Sequence, residues 1–151
     1  MKKVLFICTG NYYRSRFAEE YFNHHARLTG LAWISDSAGI RAIEHKPDNP
    51  GPISPLALSS IERHAIEPLA ANREPRQLSA EDVQSAHLNI ALCRREHQPM
   101  FEAKFPELRD QMRYWDVEDI GLEDPETALG RIAVQVDTLI QGLQGGRPYP
   151  G

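Results

Sequence analysis

Residues 3–7 read as a strand whose positions 4–7 are an unbroken apolar run, the pattern of burial on both faces of a parallel sheet. From Ser15 the period changes. Phe17, Ala18, Tyr21, Phe22, His25 and Leu28 recur at helical spacing, and Gly30 ends the pattern. Residues 31–38, with Trp33 and Ile34, read as a second strand. Residues 39–52 are rich in proline and glycine and read as a loop. Ser54 followed by Pro55 supplies a cap and a first helical residue for a helix reaching about His64. Residues 67–76, with Pro68 and Pro75, read as irregular. Ser79 with Glu81 and Asp82 marks another helix start.

Residues 88–93 give a third buried strand, and residues 112–117 a fourth. Between them, residues 96–108 are helical in spacing but interrupted at Pro99 and Pro106. After Asp124-Pro125, the positions Leu129, Ile132, Val136, Leu139, Ile140 and Leu143 form the apolar face of a last helix. Strands alternating with helices predict an α/β fold of three layers, a four-stranded parallel sheet flanked by helices on both faces. One domain over residues 1–144 and a flexible tail over 145–151 account for the 151 residues. Such sheets bind ligands beyond the carboxyl ends of their strands, where Cys8 falls.

Composition narrows the function classes. A formal charge of -4 offers no basic excess for a general nucleic-acid binder. The apolar run at residues 4–7 is far too short for a membrane span or a signal-peptide core, so a cytoplasmic location is expected. Cys8 and Cys93, the only cysteines, read as free thiols of a reducing compartment. The histidines carry no metal-ligand spacing, and no metal or cofactor is expected.

One segment names a chemistry: Cys8-Thr9-Gly10-Asn11-Tyr12-Tyr13-Arg14-Ser15. Its successive N–H groups run into a helix N-terminus, a natural seat for an anion. Gly10 and Asn11 are residue types that tolerate the positive φ of a tight amide nest. Arg14 can grip two oxygens of a tetrahedral oxyanion. The same field favours the sulfur of Cys8 as a thiolate, and Ser15 is placed to donate to it. Thr9, Gly10, Asn11, Tyr12, Tyr13 and Ser15 are therefore the candidate phosphate-binding residues around the candidate catalytic pair Cys8 and Arg14.

A phosphate ester also needs a proton for its leaving oxygen. Asp116, Asp119 and Asp124 are the candidates. Taken alone, Asp124 before Pro125 reads first as a helix cap.

With these segments the chain resembles the low-molecular-weight protein tyrosine phosphatases and the related thioredoxin-type arsenate reductases. The likeness runs through the Cys8–Ser15 loop, Ala18-Glu19, Asp36-Ser37-Ala38-Gly39 and Glu123-Asp124-Pro125. It implies attack by Cys8 on phosphorus to give a thiophosphate, stabilisation by Arg14 and the loop amides, and Asp124 as general acid and then base. It also implies that Asn11, Ser15 and Ser37 brace the loop. The expected partner is a phosphorylated protein, with phosphotyrosine favoured, or a small phosphoester. Inorganic phosphate would be product and inhibitor, and neither nucleic acid nor membrane is expected.

The chain departs from the family pattern in places. Tyr13 stands where a second cysteine is common, Arg16 where a proline is common, and Glu126 and Thr127 where aromatic residues usually follow Asp-Pro. Ala42 and Ile43 stand in place of an aromatic wall, and Tyr12 is the ring left to replace it. Phosphoarginine is a conceivable substrate within the family. Two rival functions remain: an arsenate reductase using an external thiol, and a non-catalytic phosphate-binding module. Leu92-Cys93 resembles the reductases, but Met100 stands at a position of their resolving cysteine, and Cys93 reads first as a buried strand residue.

Overall fold

The computed structural model describes residues 1–118 and 124–146. Four parallel strands, β1 (Lys2–Cys8), β2 (Trp33–Gly39), β3 (Leu88–Ala91) and β4 (Met112–Tyr114), lie in the order β2-β1-β3-β4. β1 pairs with β2 from Lys2 opposite Trp33 to Cys8 opposite Gly39. On its other edge it pairs with β3, from Val4 opposite Leu88 to Ile7 opposite Ala91. Successive strand side chains point to opposite faces, so Val4 and Phe6 enter one core while Leu5 and Ile7 enter another.

The first core lies under α1 (Arg14–Leu28), α3 (Pro55–Arg63) and α6 (Pro125–Gln144), and contains Phe17, Phe22, Ile61, Leu129, Ile132 and Val136. The second lies under α4 (Ala80–Ser85) and α5 (Arg94–Lys104), with Leu78, Val83, Phe101 and Leu108. Coverage on both faces is why positions 4–7 of β1 read as an unbroken apolar run. The predicted three-layer α/β architecture is the observed one.

The helix starts follow from their caps. Ser54 Oγ accepts from Leu56 N at 3.2 Å, with Pro55 as the first residue of α3. Ser79 and Asp82 exchange side-chain and backbone bonds in a capping box at α4. Gly30 takes φ 69° just beyond α1, a conformation that favours glycine.

Three local expectations change. The segment read as a loop over 39–52 contains a helical turn, α2 (Ala42–His45), and a 3-10 turn at Lys46–Asp48, both too short to show a period. Pro99 lies inside α5 instead of interrupting it; the wholly buried His97 and Phe101 anchor the helix on either side of it. The third and fourth strands end early, at Ala91 and Tyr114, and continue only through single bonds such as Leu92 N to Ile7 O at 3.0 Å and Val117 N to Leu92 O at 2.8 Å. Cys93 is consequently the cap residue of α5, not a strand residue.

From β1 the chain first builds β2 on one side and then β3 on the other. The order reverses at β1, and the crevice at its carboxyl end holds Cys8. No helix among the described residues is long and apolar enough to cross a membrane.

Candidate active site

The loop after β1 is anchored by its carbonyls. Cys8 O accepts from Ile40 N at 2.9 Å, Thr9 O from Arg41 N at 2.9 Å, and Tyr12 O from Ser54 N at 2.9 Å. Carbonyls drawn outward leave amides to turn toward the loop's centre, the disposition of an anion nest. Asn11 sits at φ 53°, so the positive-φ position is asparagine, as its residue type predicts. Gly39 backs directly onto the loop. A Cβ there would lie 2.6 Å from Thr9 O and 2.8 Å from Asn11 N.

Beneath the loop lies a closed polar network. Cys8 Sγ is 2.9 Å from Ser15 Oγ. Asn11 Nδ2 donates to Ser15 Oγ and to Ser37 Oγ, each at 2.8 Å. Asn11 Oδ1 accepts from Arg73 Nη1 at 3.1 Å and Arg76 N at 2.9 Å. Ser37 in turn donates to Glu19 Oε1 at 2.5 Å, and Arg73 pairs with the same oxygen at 2.9 Å. Burial pushes the Glu19 carboxyl up, against the pull of Ser37 and Arg73.

Arg14, almost fully buried, turns its guanidinium to the loop's rim. Nη1 donates to Val117 O at 3.1 Å, and Nη2 pairs with Glu96 Oε2 at 2.9 Å. Cys8, Thr9, Gly10, Tyr12, Tyr13 and Arg14 line one cavity of about 510 Å³, with Arg41, His45, Asn49, Ser54, Glu96 and Met100 on its other walls. Asn11 and Ser15 lie below that surface, fully buried, as does Ser37.

Asp124 is seen first as a cap, accepting from Thr127 N at 3.3 Å at the start of α6. The corner it occupies is tied to the loop, because Tyr13 Oη donates to Pro125 O at 3.2 Å. Asp116 belongs elsewhere, in a shallow hollow with Thr127, Gly130 and Arg131. Asp119 and Glu123 lie outside the described residues. Cys93 is buried, and burial raises its thiol, with the nearby Glu118 carboxylate adding to the rise.

Sequence reading missed Glu96 on the cavity wall, Arg73 beneath the loop, and Arg16. Arg16 is 1% exposed and donates to Pro52 O at 2.6 Å and Ala70 O at 2.7 Å. Burial lowers its pKa from the ordinary arginine value, and the neighbouring Arg73 lowers it further. The sequence carries no signal for this last group, because only the structure shows that every residue of Arg14 through Asn23 is buried. Charges at Arg16, Glu19 and Glu20 are therefore internal.

A strand, a cysteine-to-arginine anion loop and a helix on a four-stranded parallel sheet are the features by which relatives can be compared. The family model for low molecular weight phosphotyrosine protein phosphatase matches residues 3–140. The chain belongs to this family. Among curated relatives it is 31% identical over 110 residues to a protein-arginine-phosphatase of Bacillus subtilis, covering 72% of this chain and 67% of that one. A low molecular weight protein tyrosine phosphatase from T. tengcongensis superimposes with TM-score 0.74 at 27% identity, covering 97% of this chain and 99% of its own. An arginine phosphatase from Geobacillus stearothermophilus shares the fold with TM-score 0.76 at 24% identity, covering 97% of this chain and 95% of its own. The family is one of phosphatases, so the cavity above the Cys8 loop is its candidate phosphate seat.

Proposed function

We propose that the protein is a cysteine-dependent phosphatase of phosphorylated proteins, acting in the cytoplasm as one catalytic domain over residues 1–144. The observation that carries this reading is the Cys8 sulfur, 2.9 Å from the Ser15 hydroxyl, at the base of a cavity that Arg14 also lines. Cys8 Sγ attacks phosphorus, the S–P bond forms, and the bond to the leaving atom breaks. Asp124 gives its proton to that atom. It then takes a proton from the water whose oxygen displaces sulfur, releasing phosphate and the thiolate. Arg14 and the loop amides hold the three equatorial oxygens throughout. The bond from Tyr13 to Pro125 supports a place for Asp124 near the loop mouth.

Phosphotyrosine is the first substrate to test, with Tyr12 and Tyr13 as the rings lining the cavity. A second reading, phosphoarginine, is favoured by the 31% identical protein-arginine-phosphatase and by a wall in which Arg41, His45, Asn49 and Glu96 replace an aromatic clasp. An arsenate reductase is supported less, because the chain has no third cysteine to complete an internal relay. One preparation should be assayed with phosphotyrosine peptides, phosphoarginine peptides and arsenate plus thiol. Hydrolysis of para-nitrophenyl phosphate that vanishes in Cys8→Ser supports the phosphatase. Thiol-dependent arsenite formation without ester hydrolysis would replace it with the reductase. Phosphate binding with neither activity would leave a binding module.

A further inference from the structure

One wall of the cavity is unused by this chemistry. Glu96, in the first turn of α5, turns its carboxylate toward the loop, with its side chain 22% exposed. Its Oε2 accepts from Arg14 Nη2 at 2.9 Å, lies 3.1 Å from His97 Nε2, and accepts from the Thr9 hydroxyl. His97 is wholly buried, and its Nδ1 accepts the backbone N–H of Cys93 at 3.0 Å. That main-chain donor puts the ring proton on Nε2, the atom facing Glu96 and, at 3.2 Å, Thr9 Oγ1. On the opposite side Val117 O takes Arg14 Nη1. Contacts on both Nη atoms define the plane of the guanidinium and its rotation within that plane.

We propose that Glu96, braced by Thr9 and His97, is a positioning residue that sets the guanidinium pose of Arg14 for the transition state, and that its charge weakens ground-state binding of the phosphate dianion. The proposal rests on the reading that Arg14 grips the phosphoryl group. A carboxylate beside a phosphate seat repels the dianion, so charge alone gives it no use there. Orientation does. A swinging guanidinium binds a tetrahedral anion in several poses, whereas one pose serves the planar array of equatorial oxygens. Burial alone would raise the Glu96 carboxyl, but the His97 hydrogen bond and the charge and hydrogen bond of Arg14 outweigh it and hold the group well below the usual carboxylate range. Glu96 thus stays ionised at neutral pH.

Removing Glu96 should move turnover and anion affinity in opposite directions. In Glu96→Ala, kcat for para-nitrophenyl phosphate should fall by about 10- to 100-fold, the worth of a charged hydrogen bond. Meanwhile KM and the inhibition constant of inorganic phosphate should both fall. Glu96→Gln keeps the shape and should show a smaller fall in kcat with the same gain in affinity. Thr9→Val, which removes one brace, should lower kcat in the same sense and by less. Side-chain ¹⁵N spectra of Arg14 should show distinct Nη signals in the native protein that coalesce in Glu96→Ala. An unchanged kcat, a phosphate affinity that weakens with it, or unaltered Nη signals would overturn the proposal. A native protein that hydrolyses no phosphate ester would instead sink the phosphatase reading, and the spectra and phosphate titration would still decide the role of Glu96.

Discussion

Ser15 Oγ stands 2.9 Å from the Cys8 sulfur while accepting a hydrogen from Asn11 Nδ2. The serine keeps its proton and a second lone pair, so either group can donate in this contact; in the proposed mechanism the hydroxyl donates to the sulfur. Ser15→Ala should lower kcat by about 10- to 100-fold, since a hydrogen bond to a charged group is worth ~1.5–3 kcal/mol. Steady-state turnover and the rate of iodoacetamide capture at Cys8 check it. An unaltered rate for both would remove Ser15 from the chemistry.

Asp124 has a second job that must be separated from the proposed one. Asparagine caps helices as well as aspartate does, so Asp124→Asn should keep α6 intact. It should still slow cleavage of poor leaving groups by about 10²–10⁴-fold through lost proton transfer. Asp124→Ala should add a stability loss of about 1 kcal/mol from the missing cap. The checks are leaving-group dependence and thermal melts on both variants.

Gly39 is where an added methyl does the most local harm. Its Cβ would meet backbone atoms of Thr9, Gly10 and Asn11 within 3 Å, and backbone cannot step aside as a side chain tip can. Gly39→Ala should cost about 1–3 kcal/mol of stability from overpacking. Phosphate binding should be lost outright, because the displaced segment is the loop itself. Urea unfolding beside a phosphate titration measures both.

Arg16 ties the segments around residues 52 and 70 to α1, and Glu20 takes Leu69 N and Ala70 N at 2.9 and 2.8 Å. Arg16→Met fills the space but takes the donor from Pro52 O, while Ala70 O keeps the backbone N–H of Arg73 at 3.1 Å. Each buried acceptor left unpaired costs about 1–3 kcal/mol. A drop of about 1–3 kcal/mol in unfolding free energy is expected. A melt within error of the native protein would show that water replaces the guanidinium.

Two carboxylates should shape stability against pH with opposite signs. Glu96 has a depressed pKa, so its contribution is present above its ordinary value of 4.5 and drains away as pH falls below it. Glu19 has a raised pKa, so its contribution is full below 4.5 and is lost as pH rises through the folded value. Denaturation midpoints of Glu96→Gln should therefore vary less with acid than those of the native protein below about pH 4.5. Those of Glu19→Gln should decline less as pH rises above it. Parallel curves for all three proteins would contradict both assignments.

What could be read from the chain depended on how local the signal was. The Cys8–Ser15 loop is contiguous, its positive-φ position is written into Asn11 though not, as expected, into Gly10, and the strand and helix around it have clear periods. The caps Ser54, Ser79 and Asp124 were likewise visible beside the helices they start. Glu96 was not, because its partner Arg14 is 82 residues away and nothing in a single glutamate marks it as facing inward. Arg73 and Glu19, 54 residues apart, share the same invisibility. Pro99 misled for a different reason: tertiary anchoring by His97 and Phe101 outweighs a local helix breaker, and no periodicity reports that.

The polar network under Asn11 has a thermodynamic consequence. Ser15, Ser37, Arg73 and the amide of Arg76 all hold that one side chain. The conformational entropy of shaping the cradle is therefore surrendered when the chain folds, not at each catalytic encounter. In the proposed function an arriving oxyanion would meet donors already aimed, leaving the free energy of contact available for the reaction coordinate.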